Sequence, residues 1–257
     1  MNSKIIDRMV MALGITALSL AGTSIPSHAQ GQSQQAPGQQ KQKHQEDRVQ
    51  QQQKQEQRLS RQTQQQLISQ QQQRVAQYRQ HLEEQERLAQ QHIAVLQQDR
   101  RTAQYRFQEQ YLERLREQQG RLRKERYDYD RDPYFYTPPI YRYSRGGRSY
   151  ETNEYGAKAL RQAVNYGYEE GFRAGQADRS DRWRGNYRDS YAYRDANYGY
   201  SGYDVDRNDY NYFFREGFGP GYDDGYNSQR RNGRVDNGTY AMLDGLLSRI
   251  LNLQPLR

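Results

Sequence analysis

Arginine and tyrosine are the side chains through which this chain could do chemistry. Its 257 residues include 24 Tyr, 39 Lys plus Arg, four His and no Cys, with a net charge of +8. Lys occurs only at positions 4, 41, 43, 54, 124 and 158, so the positive charge is mostly guanidinium. Guanidinium groups grip carboxylates and phosphates with two parallel hydrogen bonds and stack on aromatic faces, which ammonium groups do not. Arg145, Arg148, Arg182, Arg184, Arg188 and Arg194 are interleaved with Tyr. That mixture suits an anionic polymer, either polysaccharide or nucleic acid, whose charge Arg neutralises and whose rings Tyr covers. The alternative is a solvated Arg-rich surface that keeps the chain soluble.

Other chemistries have less support. Without Cys there is no disulfide framework, thiolate nucleophile or Cys-based zinc site. His44, His81 and His92 are too widely spaced for a metal pair one helical turn apart, so solvated histidines are expected. Asp204-Val205-Asp206-Arg207-Asn208 begins like a calcium loop, but Asp209 stands at the glycine position and Arg215 at the closing glutamate. Turn and helix-cap roles fit these residues better. No nucleophile elbow, zinc-protease motif or phosphate-binding glycine loop is present. The reading is a non-enzyme with no cofactor, no metal site and no small-molecule substrate.

The elements that would position these residues follow from composition. Lys4 and Arg8 precede an apolar run from Met9 to Leu20, and Ser27-His28-Ala29 forms a small-x-small site before Gln30. This is the order of a signal peptide, residues 1–29, cleaved between Ala29 and Gln30. An uncleaved anchor is the alternative, and no later run is long enough to span a bilayer. The chain is therefore expected to be exported to the periplasm, the envelope or the medium. Residues 30–45 read as a disordered Gln-rich leader.

Residues 46–126 hold Gln, Arg, Glu, Leu and Ala with one glycine, Gly120, and predict one long helix of about 120 Å if unbroken. Ile68, Val75, Leu82, Ala89, Leu96 and Ala103 stand seven apart, as one line of a weak coiled coil. The companion line, Gln71, Tyr78, Gln85, His92 and Asp99, is mostly polar, and the register shifts after Ala103. Self-association through this helix and a solvated single helix remain open alternatives. Residues 127–156 read as a Tyr/Pro-rich linker. Residues 231–257 read as a polar linker and an amphipathic helix capped by Thr239.

Between them, residues 157–230 carry a doubled glycine ladder. Ala163, Gly167, Gly171 and Gly175 share one line at spacing four beside Tyr168 and Phe172. Gly217, Gly221 and Gly225 repeat it beside Phe218 and Tyr222. Rows at spacing four form oblique grooves and ridges on helices, so two such helices can cross closely. Each interior glycine costs about 1 kcal/mol relative to alanine, which a docking contact must offset. Pro220 predicts a kink or late start in the second copy. Glu169, Glu170, Arg173, Asp223 and Asp224 exclude a lipid-embedded pair.

Gly167-Tyr168 through Gly175-Gln176-Ala177-Asp178-Arg179, and Phe214-Arg215-Glu216-Gly217-Phe218 through Gly225-Tyr226, resemble repeat helices of a group of uncharacterised exported bacterial proteins. The resemblance covers residues 157–226 and implies export but no activity or catalytic residue. The fold class expected is mainly α with extensive disorder: a long Gln-rich helix plus short glycine-ladder helices joined by Tyr/Arg-rich loops. The function expected is a non-enzymatic, envelope-associated structural or interaction protein, with an extracytoplasmic polyanion binder as the alternative.

Overall fold

A computed structural model describes residues 59–124, 126–229, 231–236 and 239–256. The signal peptide, its Ala29–Gln30 cleavage site, the leader, His44 and residues 46–58 of the expected long helix lie outside the described residues. The described residues fall within one unit, 49–257, and are mainly helical.

Helix α1 (Arg61–Gln98) starts where the Ser60 hydroxyl accepts from the Thr63 N–H at 3.2 Å. Such a cap satisfies one of the donors that a helix start leaves unpaired. Its composition carries it for 38 residues. The expected single rod then ends. Arg100 takes a left-handed conformation (φ 56°), and α2 (Thr102–Lys124) returns antiparallel to α1. The Gln108 side-chain amide donates to the Ala89 carbonyl at 2.9 Å, and Arg116 pairs with Glu86 at 2.8 Å. The break depends on distant sequence. The Ala103 and Gln104 N–H groups donate to the Asp181 carboxylate at 2.8 and 2.9 Å, and Arg101 is buried against Asp178. The capping group therefore comes from the far end of another helix. Leu82, Ala89 and Leu96 of the seven-spaced line are buried within the chain.

The expected linker is largely ordered. Pro133–Phe135 forms a 3₁₀ turn, and β1 (Tyr141–Arg145) pairs antiparallel with β2 (Arg148–Thr152). Gly146 and Gly147 join them with φ of 55° and 76°. Two successive positive φ values give the turn that matches strand twist, and glycine supplies them at least cost. The C-terminal β5 (Gln254–Pro255) adds to the other edge of β1, giving the order β2-β1-β5.

Helix α3 (Glu154–Ser180) is capped by Asn153, whose side-chain oxygen accepts from the Tyr155 and Gly156 N–H groups. A crossover segment carrying α4 (Tyr191–Asp195) returns the chain so that α5 (Arg207–Tyr226), capped by Asp206, runs parallel to α3. A β-carbon added at Gly167, Gly171 or Gly175 would lie 1.9, 2.1 or 2.2 Å from the carbonyl oxygen of Phe214, Phe218 or Tyr222. One added at Gly217, Gly221 or Gly225 would lie 2.1 Å from that of Val164, Tyr168 or Phe172. In each case a glycine meets the carbonyl three residues before its counterpart on the other helix. The pair therefore has an approximate two-fold axis parallel to the helices. Backbone stands against backbone, a geometry that permits Cα–H···O contacts.

Ala163, Tyr168, Phe172, Phe218 and Tyr222 are all buried alongside. Buried phenols bind buried carboxylates across the pair: Tyr168 donates to Asp224 at 2.8 Å and Tyr222 to Asp178 at 2.5 Å. The helix α5 starts at Arg207 and continues through Pro220 to Tyr226, so the late start expected from proline does not occur. Glu216, whose carbonyl loses its helical donor to Pro220, is exposed.

After α5, β3 (Gly233–Asp236) pairs antiparallel with β4 (Thr239–Met242), and α6 (Asp244–Leu251) follows. Thr239 is thus a strand residue and not the cap of the last helix. Packing decides this: Met242 is buried and its N–H donates to the Asn165 side chain on α3 at 3.2 Å. Among the described residues no helix is long and apolar enough to cross a membrane.

Candidate anion-binding cleft

Helix α5 places Arg207, Asn211 and Arg215 at spacing four, with Asn208, Tyr212 and Glu216 one position on. Together these residues line one face of a cleft of about 570 Å³. His81 and Gln85 of α1 form one wall; Tyr193 and Arg194 of α4 and Arg145 of β1 complete it. A second hollow of about 310 Å³ continues along α1 and shares His81, Arg207 and Asn208 with the first. The result is a groove between α1 and α5, on a side of α5 turned away from the glycine line.

The four guanidinium groups differ in how far the fold uses them. Arg145 is committed: its Nε forms an ion pair with Asp209 at 2.8 Å, and its Cζ lies 5.0 Å from the centre of the Tyr150 ring. Arg215 is oriented but not neutralised, donating to the carbonyls of Tyr193 at 2.9 Å and Arg194 at 2.6 Å. Burial lowers its pKa, but an arginine remains charged. Arg194 donates to the Asp189 carbonyl at 2.7 Å and approaches the His92 ring. Neither these two nor Arg207 has an ion-pair partner among the described residues.

Two acids, Asp195 and Glu216, also line the cleft and balance part of this charge without forming a direct ion pair with these arginines. Asp195 is buried and accepts from the Tyr111 hydroxyl at 2.6 Å and the Asn197 side chain at 2.9 Å. Glu216 is exposed at the rim. His81 and His92 are half-buried, where solvated rings were expected. Burial first, and then neighbouring Arg207, lowers the pKa of His81, which favours its neutral ring. His92, lowered mainly by burial, bonds the Gln108 side chain across the hairpin. The Tyr193 and Tyr212 rings give the cleft flat apolar surfaces beside its cations, with Arg215 lying 5.8 Å from the Tyr193 ring centre.

Of the six arginines singled out in the sequence, Arg145 and Arg194 meet in this cleft. Arg148 is exposed on the β-hairpin, and Arg182, Arg184 and Arg188 are exposed in the segment after α3, outside the cleft lining. Arg207 and Arg215 were missed. The available signal was their spacing with Asn211 on the helix that the glycine pattern already marked. Asp206, from the calcium-like stretch, caps α5 by accepting from the Asn208 N–H at 2.8 Å. The chain matches no protein-family model, no curated protein and no solved structure in the comparisons made.

Proposed function

We propose that this chain is a non-enzymatic exported protein of the cell envelope whose helical module binds an anionic polymer, with polysaccharide favoured over nucleic acid. One observation carries the reading. Three guanidinium groups, on Arg194, Arg207 and Arg215, converge on one groove without a carboxylate in ion-pair range among the described residues. Arg194 and Arg215 are already held on backbone carbonyls, and cations so held lose less further entropy on meeting an anion than unrestrained ones. Tyr193 and Tyr212 supply faces on which sugar rings can lie. The leader-like order of residues 1–29 supports export, which favours polymers found outside the cytoplasm. The glycine-lined pair serves as the rigid mount: three close backbone approaches on each side fix α5, and α5 carries the groove.

Binding of a heparin-like polymer measured across salt concentrations tests this. Affinity is expected to fall linearly with log salt. The double variant Arg194→Gln/Arg207→Gln is expected to lose about two phosphate-equivalent contacts from the slope. The triple variant Arg182→Gln/Arg184→Gln/Arg188→Gln is expected to keep the slope. Absence of binding at low salt would end the proposal.

A further inference from the structure

Tyr127, just past α2, and Tyr203, just before the α5 cap, stack face to face with ring centres 3.9 Å apart and planes 13° apart. The other stacked tyrosine pairs are wider: Tyr143 and Tyr150 at 5.5 Å, Tyr222 and Tyr226 at 6.0 Å. Tyr203 is buried. The Tyr127 hydroxyl oxygen is also buried, and it has no hydrogen-bond partner among the described residues. A phenol so placed is poor structural design. Its oxygen loses water and gains nothing, a cost of about 1–3 kcal/mol that phenylalanine would avoid. Several other buried phenols have carboxylate acceptors: Tyr111 on Asp195, Tyr143 on Asp209, Tyr168 on Asp224 and Tyr222 on Asp178. Packing therefore explains a ring at position 127 but not its hydroxyl.

We infer that Tyr127 and Tyr203 form a site of oxidative coupling, joined as an o,o′-dityrosine by a peroxidase-type oxidant using hydrogen peroxide. Each phenol loses its hydroxyl hydrogen atom to give a phenoxyl radical whose spin lies partly on the ring carbons beside the oxygen. A Cε of one ring bonds a Cε of the other. The hydrogens on those two carbons then move to the two phenolic oxygens and restore aromaticity. Two hydrogen atoms leave in total, and one peroxide is reduced to two waters. Tyr129, half-buried and edge-on to Tyr127 at 4.8 Å, offers a route by which an oxidant outside can draw an electron from the pair. The bond would tie the end of the helical hairpin to the segment that starts α5, closing a long loop of the unfolded chain. This inference stands apart from the anion-binding proposal.

The test is peroxidase and hydrogen peroxide treatment of the dilute full chain, followed by intact mass, blue dityrosine fluorescence and peptide mapping. The monomer is expected to lose two hydrogens, with the cross-link mapped between the peptides holding Tyr127 and Tyr203. Tyr127→Phe is expected to reduce the intramolecular product to background while leaving thermal stability equal or higher, because it removes an unpartnered hydroxyl. Tyr129→Phe retains both coupling partners but removes the outer phenol, and is expected to give the same Tyr127–Tyr203 cross-link more slowly. Coupling mapped equally to Tyr143–Tyr150 or Tyr222–Tyr226, products that are only intermolecular, or persistence of the cross-link in Tyr127→Phe would each overturn the assignment.

Discussion

Gly171→Ala and Gly120→Ala make the same chemical change in two helices, and the structure assigns them opposite effects. In an exposed helix interior the substitution stabilises by about 1 kcal/mol, because alanine loses less backbone freedom on folding. Gly120, in α2, has no atom within 4 Å of the added methyl position, so it should show that gain. At Gly171 the same methyl would lie 2.1 Å from the Phe218 carbonyl oxygen and 2.9 Å from the Tyr222 backbone nitrogen. Backbone atoms of a packed helix cannot rotate aside as a side chain can. Restoring ordinary contact requires α3 and α5 to separate by roughly 1 Å, which loosens the other five close approaches and the Tyr168–Asp224 and Tyr222–Asp178 bonds. A cost of about 3–4 kcal/mol, less the propensity gain, leaves a net loss of about 2–3 kcal/mol. At about 2–4 °C per kcal/mol for a chain of this size, the melting temperature should fall by roughly 5–10 °C. Urea and thermal unfolding followed by circular dichroism measure both variants. Shifts of the same sign in the two, or a stabilised Gly171→Ala, would refute the backbone contact between α3 and α5.

Other outcomes follow from single contacts. Arg101→Met strands the buried Asp178 carboxylate, leaving the Tyr222 hydroxyl as its donor; a loss of about 3 kcal/mol in urea unfolding is expected. Asp204 is pushed up to about 6 by burial and then by nearby Asp132, against 3.8 ordinarily, with Arg74 and Lys158 acting in the opposite sense. The folded state thus binds this proton more tightly than the unfolded state, so the benefit is full below pH 3.8 and is lost as pH rises through about 6. Asp204→Asn should therefore melt higher than the parent at pH 7.5, by about 1–2 kcal/mol after allowing for partial solvent screening, and match it near pH 3.5. Asparagine also accepts the left-handed φ of 65° at this position. Gly147→Ala meets no atom, but its φ of 76° should cost about 1 kcal/mol in the same unfolding assay, in contrast to Gly120→Ala.

The parts of the fold legible in the sequence are those whose causes are local. Helical composition marks most of α1 to α3, because Gln, Arg, Glu, Leu and Ala favour helix wherever they fall, while α5, rich in Gly, Asp, Asn and aromatics, is marked only by the spacing-four glycine line it shares with α3. The β-hairpin was missed although Gly146-Gly147 lies between segments in which Tyr141 and Tyr143 alternate with polar residues. Tyr and Arg abundance on both sides concealed a period-two pattern. The turn at Asp99–Arg101 was less accessible still. Its cap is Asp181, supplied only when α3 is in place, and the local trace was the register change after Ala103. For the cleft, counting arginines drew attention to Arg182, Arg184 and Arg188 in the spacer. The fold instead collects Arg145, Arg194, Arg207 and Arg215 from three separate elements, a convergence that linear spacing does not record.

Hydrogen exchange along the chain, measured with and without saturating heparin-like polymer, tests the central claim most directly, because it reports where an anion lands as well as whether it binds. The groove between α1 and α5 predicts slowed exchange in residues 191–195 and 207–216 together with the facing stretch of α1 around His81 and Gln85, with little change in 181–190. Protection confined to 181–190, or none at a polymer concentration that saturates binding, would contradict it.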